Sequence, residues 1–129
     1  MQKFLNLGLD KWITKNLSYL KYEEPTLIQT QIIPLIMNGD NVIGISNTGT
    51  GKTAAFNLPI LNVLARDPVG IFAIILEPTR ELASQVLEQL NVFTNGFNLR
   101  VNLIIGGDDV TNQLCQLDRI PHIVGFNNI

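Results

Sequence analysis

The sequence predicts an α/β fold, a mainly parallel sheet flanked by helices, on three observations. Short β-branched or apolar runs alternate with longer segments of helical spacing. A glycine-rich turn stands between one such run and a helix. No repeat, low-complexity stretch or linker interrupts the alternation.

Taken in order, Leu7, Leu9, Trp12, Ile13, Leu17 and Leu20 recur at roughly helical spacing and predict an amphipathic first helix. A second helix starts near Thr26, with Pro25 at its entry, and runs towards Met37, where Asn38-Gly39-Asp40 signals a turn. The β-branched content of Asn41 to Ser46 predicts a strand. A helix from Gly51 to about Arg66 follows, with Pro59 expected to kink it. Ile71 to Leu76 is a continuous apolar run between Gly70 and Pro78, the pattern of a strand buried on both faces. Glu81 to about Phe93 is predicted helical, Arg100 to Ile105 a strand, Val110 to Leu117 a helix, and His122 to Phe126 the opening of one more strand.

Composition narrows the function classes. Of 129 residues, 46% are hydrophobic and 16% charged, which suits a globular chain with a core rather than a disordered one. The net charge of -2 argues against nucleic-acid binding by bulk electrostatics, so any RNA contact must come from a few placed groups. Cys115 is the single cysteine, which excludes an internal disulfide and suggests a reducing compartment. The amino terminus meets Asp and Lys too early for a signal peptide, and no apolar run is long enough to span a bilayer; an intracellular chain with no membrane contact is expected.

Chemistry concentrates at Ser46-Asn47-Thr48-Gly49-Thr50-Gly51-Lys52-Thr53. Glycines let successive backbone N–H groups turn inward, and a helix amino terminus adds positive potential, so such a turn cradles phosphate. Lys52 would reach the β- and γ-phosphates of a nucleotide, and the Thr53 hydroxyl would ligate Mg²⁺. Ser46 occupies a position where the standard pattern has glycine. Hydrolysis also needs a carboxylate at the end of an apolar strand. Glu77, after Ile71 to Leu76, and Asp108-Asp109, after Gly106-Gly107, stand in such places. Their plainer readings are a charge at a strand–loop junction and the amino-terminal cap of a helix. His122, the single histidine, is expected to be structural.

Several of these motifs fall into an order that resembles the DEAD-box RNA helicases. Tyr22-Glu23-Glu24-Pro25-Thr26-Leu27-Ile28-Gln29 resembles the adenine-reading Q motif of that family, with Gln29 as the residue whose amide reads the adenine edge. Tyr22 matches the aromatic that packs on the base, and Phe4 an upstream aromatic, although a core role is the stronger expectation there. Residues 46–53 correspond to motif I. Pro78-Thr79-Arg80-Glu81-Leu82-Ala83-Ser84-Gln85 matches motif Ia, which contacts the RNA backbone in the family, and Gly106-Gly107 resembles a motif whose amides face RNA phosphates. The resemblance implies an incomplete RecA-like P-loop domain over residues 1–129, using ATP and Mg²⁺ and meeting RNA through Pro78, Thr79, Arg80, Gly106 and Gly107. The connecting segments Asp67 to Phe72 and Pro121 to Val124 resemble the ribosome-assembly branch, which implies pre-ribosomal RNA and the nucleolus.

The chain departs from that family in several ways. Lys21 stands where a glycine usually precedes the aromatic, and Glu77 places negative charge beside the implied RNA path. Neither the Asp-Glu-Ala-Asp box nor the motifs around it occur in the 129 residues. These residues alone are therefore expected neither to hydrolyse ATP nor to unwind RNA, because positioning and charge stabilisation supply most of phosphoryl-transfer catalysis. They are also expected to leave a sheet edge open, through which copies could associate.

Overall fold

The computed structural model describes residues 3–127. The chain divides into two compact units, Met1–Arg66 and Asp67–Ile129.

The first unit is helical. A 3-10 turn, Phe4–Leu7, precedes α1 (Lys11–Tyr19), α2 (Leu27–Met37) and α3 (Lys52–Leu64). The amphipathic helix predicted from Leu7 onward is therefore divided. Gly8 takes a φ of +85°, which ends the turn, and α1 starts after Asp10. The apolar spacing holds all the same: Leu7, Leu9, Ile13 and Leu17 are all buried. Asp10 ties this entry to α3, accepting from Arg66 Nε at 3.2 Å and Nη2 at 3.0 Å and donating its N–H to Asn62 Oδ1 at 2.7 Å. Helix α2 packs on α3, which runs unbroken past the buried Pro59. Ile28, Ile33, Ala54, Leu58 and Leu61 fill the core, each large side chain contributing about 1.5–3 kcal/mol of burial.

One expectation fails in this unit. Residues 41–46 form no strand and pair with none among the described residues. Ile43 and Ile45 are 90% and 88% exposed. A β-branched run becomes a strand only where a neighbour takes up its backbone groups, and the local sequence does not supply that neighbour. The segment instead lies against α2. A Cβ on Gly44 would come within 2.3 Å of Ile32 Cδ1, so a larger residue there would push that half-buried side chain aside.

The second unit is a sheet with helices. Strands β1 (Ala73–Glu77), β2 (Val101–Ile104) and β3 (Ile123–Asn127) alternate with α4 (Arg80–Phe93) and α5 (Val110–Leu117). All pairing is parallel, in the order β1-β3-β2. The fold class is thus as predicted. Helix α4 covers one face, where Leu87 and Leu103 close around Gly125 at the 3.4 Å a Cβ would allow. Strand β1 departs from expectation, since it is not buried on both faces. Ile75 is 7% exposed, but Ile74 and Leu76, on the alternate face, are 61% and 76% exposed. β1 is an edge strand, and its apolar run records what it is built to bury rather than what covers it. His122 is structural: it is buried, and its Nδ1 accepts from Arg100 N at 3.1 Å.

Candidate functional site

The residues expected to meet nucleotide all lie in the first unit, and those expected to meet RNA all lie in the second.

In the first unit the glycine-rich loop folds back on its own atoms. Gly49 and Gly51 adopt φ of +77° and +85°, which lets the chain turn sharply into α3. Lys52 Nζ donates to Ser46 O and, at 3.1 Å, to Asn47 O. The Thr50 hydroxyl donates to Asn47 O at 2.8 Å and lies 2.6 Å from Ser46 Oγ. The amino terminus of α3 carries no side-chain cap. Its first-turn N–H groups, including those of Lys52 and Thr53, are thus left for a ligand, and the donor set fits a phosphate. Lys52 would exchange two carbonyl oxygens for phosphate oxygens. Among the described residues no cluster of His, Cys, Asp and Glu could hold a metal ion unaided. A magnesium ion would therefore rest on the half-buried Thr53 and on the nucleotide's own oxygens.

Gln29 braces this loop. It is 1% exposed, its Oε1 accepts from Thr26 N at 3.0 Å, and its Nε2 donates to Gly51 O at 3.1 Å. The Thr26 hydroxyl adds a bond to Thr50 O at 2.8 Å. A Cβ on Gly51 would fall 2.3 Å from Gln29 Nε2, so the contact demands glycine. These bonds use one N–H and one lone pair of the Gln29 amide, which is nearly fully buried behind Thr26 and Gly51. A cavity of about 570 Å³ lies beside the brace, lined by Thr26, Leu27, Ile45, Ser46, Asn47 and Thr50. Tyr22 is placed elsewhere, lining a cavity of about 260 Å³ with Phe4, Lys11 and Lys15. Phe4 is itself buried, the core role expected of it. The bracing role of Thr26 was not foreseen, although Thr26-Leu27-Ile28-Gln29 carries the spacing of a capping box.

In the second unit, the carboxyl ends of the strands gather the other candidates. Thr79 caps α4, its hydroxyl accepting from Leu82 N at 3.2 Å. Arg80 opens α4, and its Nη2 lies 3.0 Å from Asp108 Oδ1. Gly107 takes a φ of +86°. Pro78, Thr79, Arg80 and Gly107 are exposed. The Gly106 N–H is already taken by Asn127 Oδ1 at 3.0 Å, so of the two glycine amides only that of Gly107 is uncommitted. Gln113 pins the turn from the other side, pairing with both the N–H and the C=O of Ile105 at 3.0 Å. A cavity of about 290 Å³ opens there, lined by Gly107, Asp108, Val110, Leu114 and Phe126.

The three carboxylates considered for hydrolysis have other employment or environment. Asp108 holds Arg80, and Asp109 caps α5 by accepting from Thr111 N at 2.8 Å. Glu77 has its carboxyl pushed above the usual range by burial at the end of β1.

Residues 26–127 match the family model for DEAD/DEAH box helicases. The chain belongs to the DEAD/DEAH box helicase family. It is 44% identical over 124 residues to the ATP-dependent RNA helicase DBP8 of Saccharomyces cerevisiae, covering 96% of this chain and 29% of that protein. It is 46% identical to DEAD-box ATP-dependent RNA helicase 36 of Arabidopsis thaliana, over 94% of this chain and 25% of that one. Among solved structures, a DEAD box protein from Methanococcus jannaschii superposes with a TM-score of 0.91 at 35% identity, over 98% of this chain and 35% of that one. The RNA helicase Prp28 of Chaetomium thermophilum, solved with ADP bound, gives 0.86 at 32% identity, over 98% of this chain and 32% of that one. The chain thus spans less than a third of its curated DEAD-box relatives, and its fold is that of their RecA-like domains. Among the described residues no helix is long and apolar enough to cross a membrane.

Proposed function

We propose that these residues are the nucleotide-binding and RNA-contacting part of an ATP-dependent RNA helicase. The observation that carries this reading is the brace from Gln29 and Thr26 to Gly51 and Thr50, which ties a base-reading amide to a phosphate-cradling loop. Gln29 reads adenine once its buried amide is opened to the base, and Tyr22 turns from its separate cavity to pack on it. Residues 46–53 wrap the phosphates, and Lys52 turns from the loop carbonyls to the β- and γ-phosphates. Thr53 holds Mg²⁺, which when bound supplies charge neutralisation at the phosphates. Pro78, Thr79, Arg80 and Gly107 face the RNA backbone, and Gly106 joins them once its N–H leaves Asn127. The ADP in the Prp28 relative supports the nucleotide assignment. The connecting segments at 67–72 and 121–124, which resemble the ribosome-assembly branch, favour pre-ribosomal RNA and a nucleolar setting. The exposed apolar face of β1 favours self-association.

Taken alone, the 129 residues bind nucleotide without turning it over, because Asp108 and Asp109 serve local structure. Calorimetric titration with Mg·ATP, Mg·ADP and Mg·GTP tests the reading. Adenine-selective binding that disappears in Lys52→Ala and Gln29→Ala is the expected result. Equal binding of GTP, or Gln29→Ala with unchanged affinity, would overturn the role of Gln29. Turnover abolished by Asp109→Asn or Glu77→Gln would instead reveal a compact P-loop ATPase of a different kind.

A further inference from the structure

We propose that Asp108 is a built-in competitor for the RNA backbone, an internal oxyanion that must leave Arg80 before a phosphate can take its place. The proposal rests on the reading of Arg80 as an RNA-facing residue. Arg80 Nη2 donates to Asp108 Oδ1 at 3.0 Å, with the two side chains 51% and 49% exposed. Asp108 has no part in capping α5, which Asp109 does. Its carboxylate is therefore not needed to hold the helix. Nor is it on a loose loop. Asn127 fixes Gly106, and Gln113 fixes both backbone groups of Ile105. The turn thus presents Asp108 to Arg80 from a supported position.

A carboxylate and a phosphodiester each bring one negative charge and oxygens that accept from a guanidinium, so binding is an exchange of like for like. The single bond between exposed partners is weak enough to be exchanged. Its effect on RNA is larger than its strength suggests, because of the charges around it. Glu77, Glu81, Asp108 and Asp109 lie in the segments that flank the implied path, and Arg80 is the cation among them. With Arg80 held by Asp108, the segment meets RNA as a net anion.

The test is fluorescence anisotropy of a short labelled oligouridylate with the full chain, as wild type, Asp108→Asn, Arg80→Ala and the double variant. Asp118→Asn, which changes net charge equally at the other end of α5, serves as control. Asp108→Asn should tighten binding by about 1.4- to fivefold, the range an exposed ion pair spans. Asp118→Asn should not, and the gain should vanish in the Arg80→Ala background. Asp108→Ser should repeat the result without an amide. RNA binding weakened by Arg80→Ala but unchanged by Asp108→Asn would overturn the competitor while leaving the RNA path standing. A gain that persists without Arg80 would also overturn it, as a field effect only. No loss of binding on Arg80→Ala would overturn the underlying reading itself.

Discussion

Lys21 adopts a φ of +61° in the tight link between α1 and α2, where the resemblance to helicases called for glycine. A left-handed backbone with a Cβ costs about 1–2 kcal/mol, part of which glycine gives back in unfolded-state entropy. Lys21→Gly should therefore raise stability by roughly 0.5–1 kcal/mol in urea unfolding. Gly51 is the opposite case, since Ala there meets Gln29 Nε2 at 2.3 Å on a φ of +85°. Gly51→Ala should abolish nucleotide binding while circular dichroism keeps its helical signal. His122 sets a pH dependence. Burial, with the Arg100 charge nearby, lowers its pKa from the ordinary 6.5, so the folded state favours the neutral ring. Its contribution is complete above pH 6.5 and is lost as pH falls below that value through the folded pKa. Glu77 acts in the opposite sense, because its raised pKa favours the folded state as pH falls through that pKa towards the ordinary 4.5. The His122 part is isolated by His122→Asn, whose carbonyl can still accept from Arg100 N. The urea midpoint of this variant should lose the decline that the wild type shows as pH falls below about 6.5.

Elements show what one sequence can and cannot announce. Helix α5 was legible to the residue, Val110–Leu117, because Asp109 caps it and the apolar spacing is regular. The bounds of α2 followed from Thr26 and Asn38 for the same local reason. Residues 41–46 and the outer face of β1 were misread because pairing and cover come from distant chain, which composition does not encode. The glycine-rich turn into α3 was legible as a whole, since its residues are contiguous. The brace on Gly51, the Asn127 bond to Gly106 and the Asp108 bond to Arg80 were not, since each joins residues more than 18 apart. Element stability can be tested directly. Gln113→Leu removes two bonds to Ile105 and should lower stability by about 1–3 kcal/mol in urea unfolding. In α3, Asn57 is fully buried with neither amide atom bonded. Asn57→Leu should raise the urea midpoint, because the apolar group of similar size relieves about 1 kcal/mol or more of desolvation.

At the scale of the molecule, exposed Ile74 and Leu76 on an edge strand predict association that grows with concentration. Sedimentation velocity should show it for the wild type, and Leu76→Lys should shift the population towards monomer. The sheet has a second edge at β2, and the Gln113 amide gives that edge a distinct fate. Its two bonds imitate a neighbouring strand, so Ile105 offers neither N–H nor C=O to an incoming chain. A strand pairing along Val101–Ile104 would lose its bonds at Ile105, which makes β1 the fuller edge for an incoming chain.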